Sequence, residues 1–79
     1  MLGFGWLALR QAQEALRTGR LEEAQKILAS PAAQGQRGLQ ALLVQLCRAY
    51  VERAERQLRQ DDVDAAWRDL VQAGVISVR

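Results

Sequence analysis

The sequence predicts an all-α fold of four helices packed as two antiparallel hairpins. Three observations predict it. Apolar residues recur at helical spacing in four stretches, glycine, proline and aspartate stand between those stretches, and the sequence matches itself at an offset of 42 positions. The chain has 79 residues, of which 49% are hydrophobic and 25% charged, an ordinary balance for a globular protein. At about half the usual domain length, it has no room for a two-domain enzyme, a TIM barrel or a full Rossmann fold. A domain this short hides only ~60–65% of its unfolded surface, so each core contact weighs heavily.

The first helix is expected over about 6–18. Leu9, Ala12 and Leu16 form its stripe with Ala8 and Ala15 beside them, and Arg10 and Glu14 are spaced to pair on the wet face. Gly19 supplies the left-handed residue that closes it. The second helix is expected over about 21–30, with Leu21, Ala24, Ile27 and Leu28 inward and Glu22 and Glu23 at the positive end of the dipole. Pro31 cannot continue it and pushes Ser30 out of the α region. Gly35 and Gly38 then mark a loop.

The third helix, about 38–60, is the longest. Leu39, Leu43, Leu46, Cys47, Tyr50, Val51, Ala54 and Leu58 share an arc of roughly 160°, wider than a coiled-coil seam. Leu43, Leu46, Tyr50 and Leu58 are expected to form the central core. Arg48, Glu52, Glu55, Arg56 and Arg59 occupy the other face at ion-pair spacings. The fourth helix, about 62–73, starts from Asp61 as N-cap, with Asp62 and Asp64 near the dipole's positive end. Val63, Ala66, Trp67 and Leu70 line its expected inward stripe, Trp67 among the core, and Asp64 and Arg68 can pair outside. Gly74 is expected to end it. Val75, Ile76 and Val78 are β-branched, so 75–79 reads as an extended tail or the start of a following segment. The expected domain is therefore a single one, 1–74, with hairpins at about 6–30 and 38–73.

At the offset of 42, Ala12 falls on Ala54, Leu16-Arg17 on Leu58-Arg59, Leu21 on Val63, Ala24 on Ala66 and Leu28 on Leu70. Each unit is helix, tight turn, helix. The run Arg17-Thr-Gly-Arg-Leu-Glu-Glu-Ala24, with small Ala12 before it, resembles the turn of a tetratricopeptide repeat; Ala54, Ala66 and Leu70 continue the resemblance in the second unit. The resemblance covers about 8–31 well and 50–73 more loosely. It departs where Ala8 stands for the family's early aromatic, where Asp61 stands for the turn glycine, and in its spacing, 42 against about 34. It implies a fragment of an α-solenoid that binds proteins or peptides in the groove of its first helices. By position, that groove would show Leu9, Gln13, Leu16 and Arg17 from the first unit and Arg48, Glu52, Glu55 and Arg59 from the second. Family members that clamp a terminal carboxylate do so with Asn and Lys; this chain has no Asn.

Enzyme chemistry is not expected. The chain has no histidine, and Ser30, Ser77, Thr18 and Tyr50 are its only hydroxyl side chains. Cys47 lacks the partners a zinc site needs and reads as a small core residue in a reducing compartment. Asp61, Asp62 and Asp64 lack the spacing and the distant Glu of a calcium loop. Gly3-x-Gly5 has no strand before it and is too short to cradle a phosphate. Glu52 and Glu55, ringed by Arg48, Arg56 and Arg59, read as a solvated ion-pair face. No catalytic residue, cofactor or metal ligand is assigned.

Net charge is +2, and ten of the eleven bases are arginine. Arginine grips phosphate bidentately, so an Arg-rich nucleic-acid-binding domain is one alternative, although nine carboxylates are interleaved with the bases. A signal peptide wants a charged n-region, and Arg10 interrupts the first apolar run far short of the ~20 residues of a membrane span. The protein is expected to be soluble and cytoplasmic. Trp6 lies about 100° from the Leu9–Ala12–Leu16 stripe on a helical wheel, and Phe4 and Leu7 are also off it. Phe4, Trp6 and Leu7 thus form either an end cap or a self-association patch. The leading expectation is a non-enzymatic interaction or scaffold module, on its own or as the N-terminal domain of a longer protein. Its partner would be a protein, a peptide, a following domain of the same chain or a second copy; an oligomerisation segment is the second alternative.

Overall fold

Residues 5–77 are described in a computed structural model, and all of their regular structure is helical. The elements are α1 (Gly5–Arg17), α2 (Leu21–Leu28), α3 (Leu39–Arg59) and α4 (Val63–Ser77). No described helix is long and apolar enough to cross a membrane. The chain divides into two compact units, Met1–Leu46 and Cys47–Arg79. The division falls inside α3, not in the loop between the two expected hairpins, so the first turns of α3 are grouped with α1 and α2.

In the first unit α1 packs along α2. The buried face of α1 is Gly5, Ala8, Ala12 and Ala15, and that of α2 is Leu21, Ala24 and Leu28. Leu9 and Leu16, expected at the centre of the α1 stripe, are only half-buried. A row of alanines lets two helices approach closely, and the dense contact that follows is the main gain. Beyond α2, the Ser30 hydroxyl donates to the Ile27 carbonyl at 2.6 Å. The Gln34 amide donates to the Leu28 carbonyl at 3.0 Å, and Ala33 is fully buried. The stretch that reads as a plain loop therefore supplies a core residue. Gln36 lies over Gly5 so closely that a Cβ there would stand 2.1 Å from its Nε2. Leu42 and Leu46 of α3 complete the buried set of this unit.

In the second unit Tyr50 and Ala54 of α3 and Ala66, Asp69, Ala73 and Ile76 of α4 are buried. The Cys47 thiol, half-buried, donates to the Ala73 carbonyl at 3.5 Å. Leu46 and Tyr50 are core as expected, Leu43 is half-buried, and Leu58 is exposed. The buried face of α4 differs from the expected one: Val63, Trp67 and Leu70 point outward, and only Ala66 of that stripe is inside. In α4 the buried apolar residues are Ala66, Ala73 and Ile76, two of them small enough for close approach. The expected tail is also corrected, since α4 runs through Gly74 to Ser77. Ile76 falls three positions after buried Ala73, so continuing the helix hides it, whereas an isolated strand would have no partner. Val78 and Arg79, like Phe4, lie outside the described residues.

The two tight turns have the same backbone bonding. After α1, the Gly19 N–H reaches the Leu16 carbonyl and the Arg20 N–H the Ala15 carbonyl, at 3.2 and 2.8 Å. After α3, the Asp61 N–H reaches Leu58 and the Asp62 N–H reaches Gln57, at 3.0 and 2.8 Å. Both are Schellman closures, which require a left-handed residue after the helix. Gly19 has φ 81° and Asp61 has φ 61°. Asp61 therefore closes α3 and is not the N-cap of α4; that role falls to Asp62, whose Oδ1 accepts the Ala65 N–H at 3.3 Å.

Two outcomes follow from this packing. Ala24→Leu should overpack the α1–α2 contact and cost ~1–3 kcal/mol; an unchanged melting temperature would mean Ala24 is not at a close helix contact. Asp61→Gly removes a Cβ from a left-handed position and should raise stability by ~0.5–1 kcal/mol in thermal melts, with Gly19→Ala shifting the midpoint the other way.

Candidate interaction surfaces

The first unit carries an open trough on the outer side of α1 and α2. Its larger part, about 650 Å³, is lined by Leu7, Arg10, Gln11 and Glu14 and by Arg20, Glu23, Lys26 and Ile27. It runs on into a smaller part of about 370 Å³ through the shared Leu7, Gln11, Lys26 and Ile27, ending at Ala8, Ser30 and Ala32. Leu7 and Ile27 are the apolar residues of the larger part, and the others lining it include charges of both signs. Helical periodicity explains the arrangement: Leu7, Arg10, Gln11 and Glu14 are three and four apart on one face of α1, away from the alanine seam.

Three of these charges, Glu14, Arg20 and Glu23, are held in local pairs. Arg17 Nε donates to Glu14 Oε1 at 3.1 Å. The Arg17 hydrogen bond, opposed by desolvation and helped by the positive charge of Arg17 and Arg20, holds the Glu14 carboxyl below the usual carboxylate range. The same bond raises Arg17. Glu14, not Arg10, is thus the centre of the pairing on α1, and Arg17 is its partner. Arg20 Nη1 donates to both Glu23 oxygens at 3.2 Å and its Nε to the Thr18 hydroxyl at 2.8 Å. These exposed pairs orient side chains more than they stabilise the fold.

The second unit holds a buried ion pair that the periodicity of the sequence did not suggest. Arg53 Nε donates to Asp69 Oδ2 at 2.7 Å, and Nη2 donates to Oδ1 at 2.8 Å. The Asp69 side chain is 7% exposed and that of Arg53 25%. The guanidinium carbon also lies 5.4 Å from the centre of the Tyr50 ring, within cation–π range. The fork of Arg53 matches both carboxylate oxygens of Asp69, so each oxygen accepts a charge-assisted hydrogen bond inside the unit. One signal existed in the sequence: Asp69 is three after Ala66 and four before Ala73, on the small-residue side of its helix.

The expected groove residues fall in two groups. Leu9 and Leu16 are half-buried on α1 and Gln13 and Arg17 are exposed there; none of the four lines the trough. Arg48, Glu52, Glu55 and Arg59 are exposed on α3 in the second unit. Of the expected patch, Trp6 is 59% exposed and Leu7 is exposed and lines the trough. Trp67, expected inside, is more exposed than Trp6. Among the described residues no three of His, Cys, Asp and Glu could together hold a metal ion. No protein-family model, curated protein or solved structure matches the chain.

The ion pair gives an asymmetric prediction. Arg53→Met leaves the Asp69 carboxylate buried without its partner and should cost ~3–5 kcal/mol in urea melts. Asp69→Leu should cost less, because Arg53 already reaches water. The double variant should recover much of the loss, whereas strictly additive losses would mean the two groups do not act as a pair.

Proposed function

We propose that this protein is a non-enzymatic helical-hairpin module, like the tetratricopeptide hairpins it resembles, that binds an apolar segment of another protein through a face other than the groove the resemblance implies. The observation that carries the proposal is the trough between α1 and α2, with Leu7 and Ile27 as the apolar residues of its larger part and paired charges among the others. A rigid, alanine-packed pair of helices can hold such a surface open to water, and a partner's apolar side chain would dehydrate it. The mixed lining, Arg10, Arg20 and Lys26 against Glu14 and Glu23, suits a polypeptide with interleaved charges.

Several features support the hairpin reading. The three-residue Schellman turns leave little chain for anything but reversal. In the second unit, Cys47 meets Ala73 while Arg53 meets Asp69, so contacts advance along α3 as they retreat along α4. Ala12, Ala24, Ala54 and Ala66, the close-packing positions of the resemblance, are all fully buried. The likeness weakens at the outer positions: Leu21 and Leu28 are buried, but Val63 and Leu70 are exposed. For nucleic acid the support is smaller, because Arg17 and Arg20 are already engaged by Glu14 and Glu23. A cytoplasmic place of action accords with the lone free cysteine.

A random peptide display library panned against the protein is the test. Enriched peptides should carry Leu or aromatic anchors, and Leu7→Asp or Ile27→Asp should weaken them at least tenfold with helicity unchanged. Failure to enrich any sequence, or binding indifferent to both substitutions, would refute the proposal. Binding of duplex DNA instead, with log affinity falling by ~0.9 per phosphate contact as log salt rises, would put the nucleic-acid reading in its place.

A further inference from the structure

We propose that the outer face of α4 is a self-complementary surface that pairs antiparallel with the same face of a second copy. The proposal stands apart from the trough and does not depend on it. At about 100° per residue, Ala66, Asp69, Ala73 and Ile76 define the buried side of α4. Val63, Trp67, Leu70 and Gly74 form a second stripe with Val71 along its edge, and this stripe is open. Trp67 is 67% exposed, Val63 61%, Val71 43% and Leu70 39%.

Isolated exposed apolar side chains are ordinary, but a contiguous helix face of this kind is not. A tryptophan alone offers ~150–250 Å², and the stripe as a whole offers on the order of 400–500 Å². Two copies face to face would bury at most ~800–1,000 Å², the low end of the range, where weak associations fall. The area thus reaches what a weak dimer needs when the occupant is an identical face.

Shape selects the orientation. Trp67 and Gly74 lie at equal distances on either side of the midpoint between Leu70 and Val71. A two-fold axis through that midpoint places each Trp67 opposite Gly74 of the other copy. Gly74 is exposed, and nothing stands within 4 Å of where its Cβ would be, so the largest side chain of the face meets the one position without a side chain. Leu70 and Val71 meet their counterparts at the axis. A parallel pairing would set tryptophan against tryptophan and glycine against glycine, leaving a gap. The antiparallel arrangement is isologous and closes at two copies.

The experiment is sedimentation equilibrium of the wild-type full chain and of two variants. Wild type should show a monomer–dimer equilibrium. Gly74→Leu fills the seat for the indole while improving helix propensity, so the dimer dissociation constant should rise at least tenfold with helicity by circular dichroism undiminished. A Trp6→Ser/Leu7→Ser variant should dimerise as wild type does. Orientation is read by cysteine crosslinking in a Cys47→Ser background. Val71→Cys should crosslink to itself, whereas Val63→Cys should not, because the two copies of that position would lie roughly 20 Å apart along the axis. A strictly monomeric wild type, a dimer untouched by Gly74→Leu, a dimer lost with Trp6 and Leu7, or self-crosslinking at Val63→Cys would each overturn the proposal.

Discussion

Close approach between helices, made possible by alanine, decides which side chains this protein can hide. Ala12, Ala15, Ala24, Ala33, Ala54 and Ala66 have no exposed surface. Each contributes little transfer free energy of its own. What they contribute is proximity: backbones close enough to gain dispersion contacts along their length. The consequence is that the small faces turn inward and many large apolar side chains stay outside. Trp6, Leu7, Val63 and Trp67 are exposed, while Tyr50, Leu28 and Leu46 are the largest side chains fully inside.

The Arg53–Asp69 pair fixes the same choice in α4. That helix has two apolar faces, and on size alone the face with Val63, Trp67 and Leu70 is the better candidate for burial. The other face carries Asp69, and a carboxylate can be buried there only because Arg53 forks onto both its oxygens. Tyr50, fully buried beside the guanidinium, supplies a π face on the third side. The pair therefore acts as a rotational lock: it sets α4 with Ala66, Ala73 and Ile76 inward and presents the tryptophan stripe to solvent. An ionic contact inside the unit thus determines an apolar surface outside it.

The turns show one geometry written in two ways. Gly19 and Asp61 occupy the same left-handed position in the same pair of hydrogen bonds, 42 residues apart. Glycine takes that conformation freely, and aspartate is among the few other residues that tolerate it. The next residue then begins the following helix in different ways: Asp62 caps α4 with its carboxylate, while Arg20 starts α2 with no side-chain cap and reaches instead to Glu23 and Thr18. Backbone bonding recurs although side-chain solutions differ, as expected where the constraint is closing a helix with a left-handed residue.

Helical periodicity and punctuation are local properties, and they sufficed for the all-α class, the four helices and most of their ends. Gly19 and Pro31 stop helices for reasons contained in their own covalent structure. Trp6 and Leu7 could be placed off the α1 stripe by spacing alone. Which of two apolar faces turns inward was not local. It depended on interhelical distance, which hid alanines in place of Leu58 and Trp67, and on a partner sixteen positions away for Asp69. The extension of α4 to Ser77 goes with the burial of Ile76, against the β-branched preference of Val75 and Ile76. Propensity and pattern weigh each residue by itself, whereas burial is shared between elements, and only the tertiary structure decides which elements share it.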